Sequence, residues 1–203
     1  MARYTGPRLR VVRRFQQQLP GLTRKTDGVR SNPPGQHGAR RGRASDYRLR
    51  LDEKQKLVYN YGLGERQLRN YFKTAARRKG DTGKNLLTLL ESRLDNVVFR
   101  LGFAPTIPAA RQVVKHGHIT VNGRRVDVPS YPLRPGDVIG VGEGSRQHPV
   151  IVETLQSPSL SLPDYLDLDA GKMAGTFRHL PERADIPLEV QENFVVEYYS
   201  RVS

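Results

Sequence analysis

The sequence contains no cysteine and no tryptophan. The absence of cysteine excludes disulfides, thiolate catalysis and zinc sites built from cysteine. No apolar run approaches the roughly 20 residues that a bilayer-spanning helix needs. The arginine-rich N-terminus has no apolar segment of the kind that secretory signals carry. At 203 residues the chain is long enough for one or two domains with a packed core. These features exclude a secreted disulfide scaffold, a membrane span and a cysteine enzyme.

Acidic residues are scarce in the first quarter of the chain. The whole sequence has 34 Lys and Arg against 20 Asp and Glu, a formal net charge of +14. Residues 1–50 hold 13 basic and 2 acidic residues, a net of +11, whereas residues 151–203 carry a net of −5. A solubilising surface needs only a modest net charge, so this gradient favours a polyanionic partner. Many of the cations are arginines, whose planar guanidinium suits phosphate, and nucleic acid is the predicted partner.

Residues 1–44 are interrupted by proline and glycine at short intervals. The segment is strongly basic and poor in apolar residues, so it builds little core alone. We predict a basic arm with short ordered segments that binds to a polyanion. A solvated, disordered tail is the alternative that the sequence leaves open.

From Ser45 onward, apolar residues recur at helical spacing between capping residues and glycines. Four helices are predicted: Ser45 or Asp46 to Tyr61, Glu65–Lys79, Gly83–Leu101 and Ile107–His116. At about 100° per residue, the second helix places four basic residues on one stripe: Arg66, Arg69, Lys73 and Arg77. A solvated helix face usually mixes charge signs, so this stripe favours contact with phosphates.

After residue 118 the apolar period changes to two, which is typical of strands. The dipeptide Asn122-Gly123 indicates a tight hairpin. The predicted strands are 119–121, 124–126, Val138–Val141, Tyr165–Leu168 and Phe194–Tyr199, with a loop at 142–150. Helices followed by short strands predict an α+β fold.

Two local patterns resemble metal or catalytic sites. His116 and His118 are too few to hold a metal without a nearby carboxylate or thiolate. Asp95 is a candidate nucleophile, but it lies in a helix with an apolar face. We expect it to pair with Arg93 or Arg100 instead. No catalytic residue, metal site or cofactor is predicted.

Several short motifs follow one another between residues 92 and 141: SRLDN at 92–96, ARQVVKHGHI at 110–119, VNG at 121–123, PS at 129–130 and PGD at 135–137. This block resembles the S-four RNA-binding domain, a module of two helices and a small sheet that binds structured RNA. The residues themselves agree with that resemblance, because a helix face, a loop and a hairpin carry polar and basic side chains: Arg111, Lys115, His116, His118, Asn122, Arg124 and Arg125. They predict a concave basic platform that reads RNA shape through phosphates and 2′-hydroxyls.

Motifs outside this block resemble the small-subunit ribosomal protein four (S-four) family. They are ARY at 2–4, GP at 6–7, PGQHGAR at 34–40, SDY at 45–47, EKQK at 53–56, YG at 61–62, ERQ at 65–67, Gly83 with NLL at 85–87, and VEYYSR at 196–201. The resemblance is weakest over residues 142–195. It implies a primary binder of small-subunit rRNA at a multi-helix junction, which nucleates assembly of the subunit body. It further implies contact with small-subunit ribosomal protein five, a contribution to decoding accuracy, and a position near the mRNA entrance.

One departure from this family concerns zinc. Many bacterial relatives hold zinc with cysteines in the region that corresponds to Phe15–Pro34, and this chain has none. His37 alone does not replace a site of four ligands. The resemblance is therefore to a cysteine-free, zinc-less member whose arm is ordered by RNA.

The expected architecture is a mainly helical N-terminal domain with a basic extended arm, plus a small inserted S-four domain of two helices and an antiparallel sheet. The expected boundaries are 1–44 for the arm, 45–91 for the helical domain (completed by parts of 142–203), 92–152 for the S-four domain, and 153–203 for an acidic segment that packs back on the helical domain. The candidate RNA-binding residues are Arg3, Arg8, Arg10, Arg13, Arg14, Arg40, Arg41, Arg43, Tyr47, Arg48, Lys54, Lys56, Arg66, Arg69, Lys73, Arg77, Arg93, Arg111, Lys115, His116, His118, Asn122, Arg124 and Arg125.

The expected partners are small-subunit rRNA, small-subunit ribosomal protein five and mRNA near its entrance, with no membrane and no small-molecule substrate. The expected location is the small ribosomal subunit in the cytoplasm; the sequence leaves an organellar ribosome open. The alternative is a free-standing S-four-domain factor that binds or modifies RNA. Fewer than 60 residues follow residue 145, which is too few for an ordinary catalytic domain.

Overall fold

The computed structural model describes residues 4–25, 32–38 and 45–202. Its helices are α1 (Arg8–Phe15), α2 (Asp46–Asn60), α3 (Glu65–Ala76), α4 (Thr82–Glu91), α5 (Leu94–Arg100), α6 (Ile107–Lys115), α7 (Pro149–Gln156) and α8 (Glu192–Val202). Its strands are β1 (Ile119–Val121), β2 (Arg124–Arg125), β3 (Val138–Val141), β4 (Leu166–Asp169) and β5 (Ala174–Phe177). The predicted α+β class is confirmed. Within the described ranges, no helix combines the length and apolar content needed to cross a membrane.

The chain divides into two compact units. Unit 1 contains the described residues up to Leu86 and those from Leu188 onward, and unit 2 is Leu87–Pro187. This division differs from the expected one, which assigned residues 153–203 as a whole to the helical domain. Residues 153–187 belong to unit 2 because β4 and β5 extend its sheet.

Unit 1 is helical, and α2 packs against α8. Ser45 begins α2, because its Oγ accepts a hydrogen bond from the backbone N–H of Arg48 (3.3 Å). Leu57 is buried within α2, and the buried Tyr61 caps its C-terminus. The helix predicted from Ser45 or Asp46 to Tyr61 is confirmed.

The segment around α1 differs from the expected extended arm. It is helical, and it contributes four buried apolar side chains: Val11, Val12, Leu19 and Leu22. The side-chain amide of Gln17 donates to the backbone carbonyl of Glu189 (2.6 Å). These apolar residues anchor the segment within unit 1 although prolines flank the helix. Residues 1–3, 26–31 and 39–44 of the predicted arm lie outside the described residues.

The single helix predicted over Gly83–Leu101 is wrong, because the structure has two helices there. Between α4 and α5, Arg93 has an extended backbone (φ −76°, ψ 142°) and forms an isolated β-bridge with Pro132. The backbone N–H of Leu94 donates to the carbonyl of Tyr131 (2.9 Å). Hydrogen bonds to the loop before β3 replace the helical ones at the break.

The five strands of unit 2 form one antiparallel sheet in the order β2-β1-β3-β5-β4. The predicted Asn122-Gly123 hairpin is confirmed, and both residues adopt the left-handed conformation (φ 51° and 78°) that a tight primed turn requires. In this hairpin Val121 pairs with Arg124. The sequence pattern did not indicate β5, whose segment AGTF lacks apolar alternation.

The strand predicted at Phe194–Tyr199 is wrong, because this segment belongs to α8. β-branched and aromatic residues favour strands, but Val195 and Tyr199 are one helical turn apart and both are buried. The phenolic hydroxyl of Tyr199 also donates to Glu65 Oε1 (2.9 Å). Tertiary packing therefore determines this element. The predicted loop at 142–150 contains a 3₁₀ turn, Glu143–Ser145, and the first residues of α7.

Candidate nucleic-acid interface

In unit 2, α6 and the β1–β2 hairpin bring one group of the candidate residues together. Thr106 begins α6 by accepting a hydrogen bond on its Oγ1 from the backbone N–H of Ala109 (3.3 Å). One face of α6 is buried, through Ile107, Ala110, Val113 and Val114. The exposed C-terminal end of the helix carries Lys115 and His116. This end leads directly into β1, so the helix terminus and the hairpin belong to one surface.

The side chain of Arg125 lies against the turn that follows α6. Its Nη2 donates to the backbone carbonyl of His116 (3.4 Å). Gly117 in this turn has φ +77°, and a Cβ there would collide with the Arg125 guanidinium. The backbone conformation therefore favours glycine, and a side chain at this position would displace the flexible end of Arg125.

Three cations of this surface have their charges available for an external anion. Lys115, Arg124 and Arg125 are exposed, and none forms an ion pair with a carboxylate of the described residues. Exposed guanidinium and ammonium groups that form no ion pair with a carboxylate can form strong charge-assisted hydrogen bonds with phosphate oxygens. The surface is suited to an RNA backbone.

Two other candidates in unit 2, Arg93 and Arg111, bind Asp95. Arg93 donates from Nε and Nη2 to the two carboxylate oxygens (3.0 and 2.7 Å), and Arg111 donates from Nε to Oδ2 (2.7 Å). The Arg93 side chain is only 3% exposed and that of Arg111 18%. The predicted Arg93–Asp95 pair is confirmed, whereas Arg100 pairs with Glu91 (2.8 Å). We therefore leave Arg93 out of the proposed interface.

Asn122 uses its side-chain amide to hold the hairpin. Its Nδ2 donates to Asp137 Oδ1 (2.8 Å), and its Oδ1 accepts from the backbone N–H of Val138 (2.9 Å). The residue is exposed. These bonds give Asn122 a structural role at the hairpin tip.

His118 is half-buried beside a residue that the sequence analysis did not include. Its Nδ1 lies 2.8 Å from Ser145 Oγ, and its ring centroid lies 4.9 Å from that of His148. The pKa of His118 is lowered, first by burial and then by the charges of His148, His116 and Arg125. No spacing signal in the sequence connects His148 with the two earlier histidines, because the fold alone brings them together.

In unit 1, the predicted basic stripe is exposed along α3 and at its C-cap: Arg66, Arg69, Lys73 and Arg77. The opposite side of the helix buries Leu68 and Ala75. Arg78 and Lys79 follow the helix and are also exposed. They were not among the candidates, although the basic run at 77–79 is visible in the sequence. Among the described residues, no carboxylate forms an ion pair with Arg66, Lys73 or Arg77.

Lys54 and Lys56 of α2 are bound within the protein. The Lys54 side chain is buried, with its Nζ 2.6 Å from Glu65 Oε2 and 4.8 Å from the ring centroid of Tyr198. Lys56 Nζ lies 2.6 Å from Glu53 Oε1. We therefore leave both lysines out of the proposed interface.

The remaining candidates lie on α1 and at the start of α2. The exposed ones are Arg8, Arg10, Arg14, Tyr47 and Arg48. Arg14 and Arg48 share the carboxylate of Asp52 (3.0 and 3.5 Å). Arg13 is half-buried and donates from Nε to the backbone carbonyl of Asn32 (3.1 Å). Four candidates lie outside the described residues: Arg3, Arg40, Arg41 and Arg43.

The chain is similar to known ribosomal proteins along its whole length. The model of the family "Ribosomal protein S4/S9 N-terminal domain" matches residues 3–91, and that of the "S4 domain" matches residues 92–139. Proteins named "Small ribosomal subunit protein uS4" are 58% identical in Thermosynechococcus vestitus, 56% in Synechococcus elongatus and 54% in Trichodesmium erythraeum. Each comparison covers 202 residues and 99% of both chains. The chain therefore belongs to the uS4 family of small ribosomal subunit proteins.

Proposed function

We propose that this chain is a structural constituent of the small ribosomal subunit and binds small-subunit rRNA with both of its units. The observation that carries the proposal is a set of exposed cations that have no carboxylate partner among the described residues: Lys115, Arg124 and Arg125 in unit 2, and Arg66, Lys73 and Arg77 in unit 1. Full-length similarity to a structural, non-enzymatic ribosomal family supports it. The burial of Asp95 between two guanidinium groups argues against its use as a nucleophile.

The geometry favours recognition of RNA shape over recognition of base sequence. Arginine and lysine side chains on a helix end and a short hairpin suit phosphates and 2′-hydroxyls, which line the wide minor groove of A-form RNA. Because each unit has its own cationic surface, the chain has the means to bind more than one RNA helix. Binding to several RNA helices supports a binding position at a multi-helix junction of the rRNA and a role in nucleating assembly of the subunit body.

The acidic last quarter of the chain supports contact with a basic protein neighbour. Residues 151–203 carry a net charge of −5, which repels RNA and attracts a cationic surface. We infer that small-subunit ribosomal protein five is this neighbour, and that the pair contributes to decoding accuracy near the mRNA entrance in a cytoplasmic ribosome. Charge reversal at the exposed Glu189 should weaken binding of purified protein five, whereas Glu189→Gln should have a smaller effect. Equal binding by both variants would contradict this contact.

Co-sedimentation tests the proposed function directly. The full chain is expected in stoichiometric amounts in small ribosomal subunits and should remain there through a high-salt wash. Many simultaneous phosphate contacts, together with protein contacts, resist exchange better than a single RNA site. Recovery only in free RNA complexes that dissociate in salt would indicate a free-standing RNA-binding factor instead.

A further inference from the structure

Three histidines converge in unit 2: His116 and His118 are near neighbours in the sequence, and His148 comes from a later segment. His116 caps the end of α6, His118 precedes β1, and His148 caps the start of α7. The ring centroids of His116 and His118 are 6.1 Å apart, and those of His118 and His148 are 4.9 Å apart. We call these three residues the histidine cluster. It lies beside Arg125, whose guanidinium reaches the carbonyl of His116.

The central histidine has a partner that suits both of its protonation states. Ser145 Oγ lies 2.8 Å from His118 Nδ1, and a hydroxyl either donates to a neutral ring nitrogen or accepts from a protonated one. When His118 is doubly protonated, Nδ1–H can donate to Ser145. Nε2–H is then left as a second donor for an anion.

The groups that face His118 from neighbouring elements oppose its protonation. They are His116 at the end of α6, Arg125 on β2 and His148 at the start of α7. Burial and these charges keep the pKa of His118 below its ordinary value. In the protein without RNA, the imidazole of His118 is therefore neutral at neutral pH.

We propose that the histidine cluster is a phosphate-binding site at which RNA binding is coupled to uptake of a proton by His118. This inference rests on the proposed RNA-binding function. A phosphate beside the cluster adds a negative charge, so it stabilises the imidazolium and raises the pKa of His118 in the complex. Between the lower pKa of the free protein and the higher pKa of the complex, binding takes up a proton. RNA affinity therefore falls as the pH rises through this range.

Calorimetry of the full chain binding to a small-subunit rRNA transcript tests the proposal. Measurements near pH 6.5, in two buffers of different ionisation enthalpy, give the net number of protons taken up, which should be positive and at most about one. His118→Gln should remove this uptake. The wild-type affinity should also fall with rising pH more than the affinity of this variant does. The difference is about tenfold for each unit by which phosphate raises the pKa of His118. The matched control is His179→Gln, since His179 is an exposed histidine of the same unit and its loss should leave the uptake unchanged.

The comparison of variants separates failure of this inference from failure of the proposed function. Titrating groups on the RNA contribute equally to both variants, so equal uptake by His118→Gln and His179→Gln overturns the inference while RNA binding stands. The absence of rRNA binding by the wild-type chain at every pH would overturn the proposed function. Should His118→Gln unfold, the exposed His116→Gln serves instead. It is expected to lower both affinity and proton uptake, and unchanged values for it would also overturn the inference.

Discussion

Replacement of Arg66, Lys73 and Arg77 with alanine is expected to flatten the salt dependence of rRNA binding. All three side chains are exposed on or beside α3, and no carboxylate of the described residues neutralises them. Each cation–phosphate contact contributes about 0.9 to the slope of log affinity against log salt for duplexes and about 0.7 for single strands. Three contacts therefore contribute about 2.1 to 2.7. Over a fourfold rise in salt, the affinity advantage of the wild type over the variant should shrink about 20- to 40-fold.

Fluorescence anisotropy with a labelled small-subunit rRNA transcript measures this slope between about 0.1 and 0.4 M salt. The matched control removes the same charge from exposed side chains in the acidic last quarter: Lys172→Ala, Arg178→Ala and Arg201→Ala. Exposed ion pairs contribute little to stability, and alanine favours helix, so both triple variants should fold. The control should retain the wild-type slope.

Two outcomes would refute the assignment of α3 to the RNA interface. In the first, the α3 variant keeps the wild-type slope, which would make the stripe an ordinary solvated helix face. In the second, the control loses as much slope as the α3 variant, which would show that net charge matters and position does not.

Three further predictions concern the framework of the site. Asp95→Ala should lower the free energy of unfolding by about 3 to 5 kcal/mol in urea titrations, because the buried Arg93 guanidinium loses its carboxylate; a loss below about 1 kcal/mol would show that this charge is solvated. Gly117→Ala should weaken rRNA binding, because its Cβ displaces Arg125. In a double-mutant cycle it should add little to Arg125→Ala, and full additivity would contradict this positioning role. Deletion of residues 1–25 should lower the thermal midpoint of unit 1, because buried side chains of α1 are lost; an unchanged midpoint would restore the interpretation of this segment as an arm.

Elements whose signals are local could be predicted from the sequence. The Asn122-Gly123 turn requires positive φ at two successive residues, and few other residue pairs adopt it easily. Ser45 and Thr106 accept hydrogen bonds from N–H groups three residues ahead, so their helices begin where the sequence indicates. In each case the deciding interaction spans only a few residues.

Elements decided by distant partners were predicted wrongly. The helix break at Arg93 depends on Pro132 and Tyr131, which lie far along the chain. α8 is helical because it packs on α2, which overrides the strand preference of its β-branched and aromatic residues. A single sequence contains no direct record of such pairings.

The candidate site shows the same division between local and distant information. Charge and helical period locate Lys73 on an exposed stripe, and the structure agrees. Charge alone also selects Lys54, but its ammonium group is bound by Glu65 and its side chain is buried. Composition reveals where cations are concentrated, but only the fold reveals which of them are already neutralised.

Unit 1 is built from two separate stretches of sequence, so its two parts are synthesised at different times. Unit 2 lies between Leu86 and Leu188, so the residues that form α8 leave the translating ribosome roughly 6 to 25 s after those that form α3. During this interval α2 lacks α8, against which it packs in the finished protein. Unit 2 is by then continuous and able to fold. A nascent chain therefore presents the hairpin surface to RNA first, and the surface on α3 gains its full support only when α8 docks.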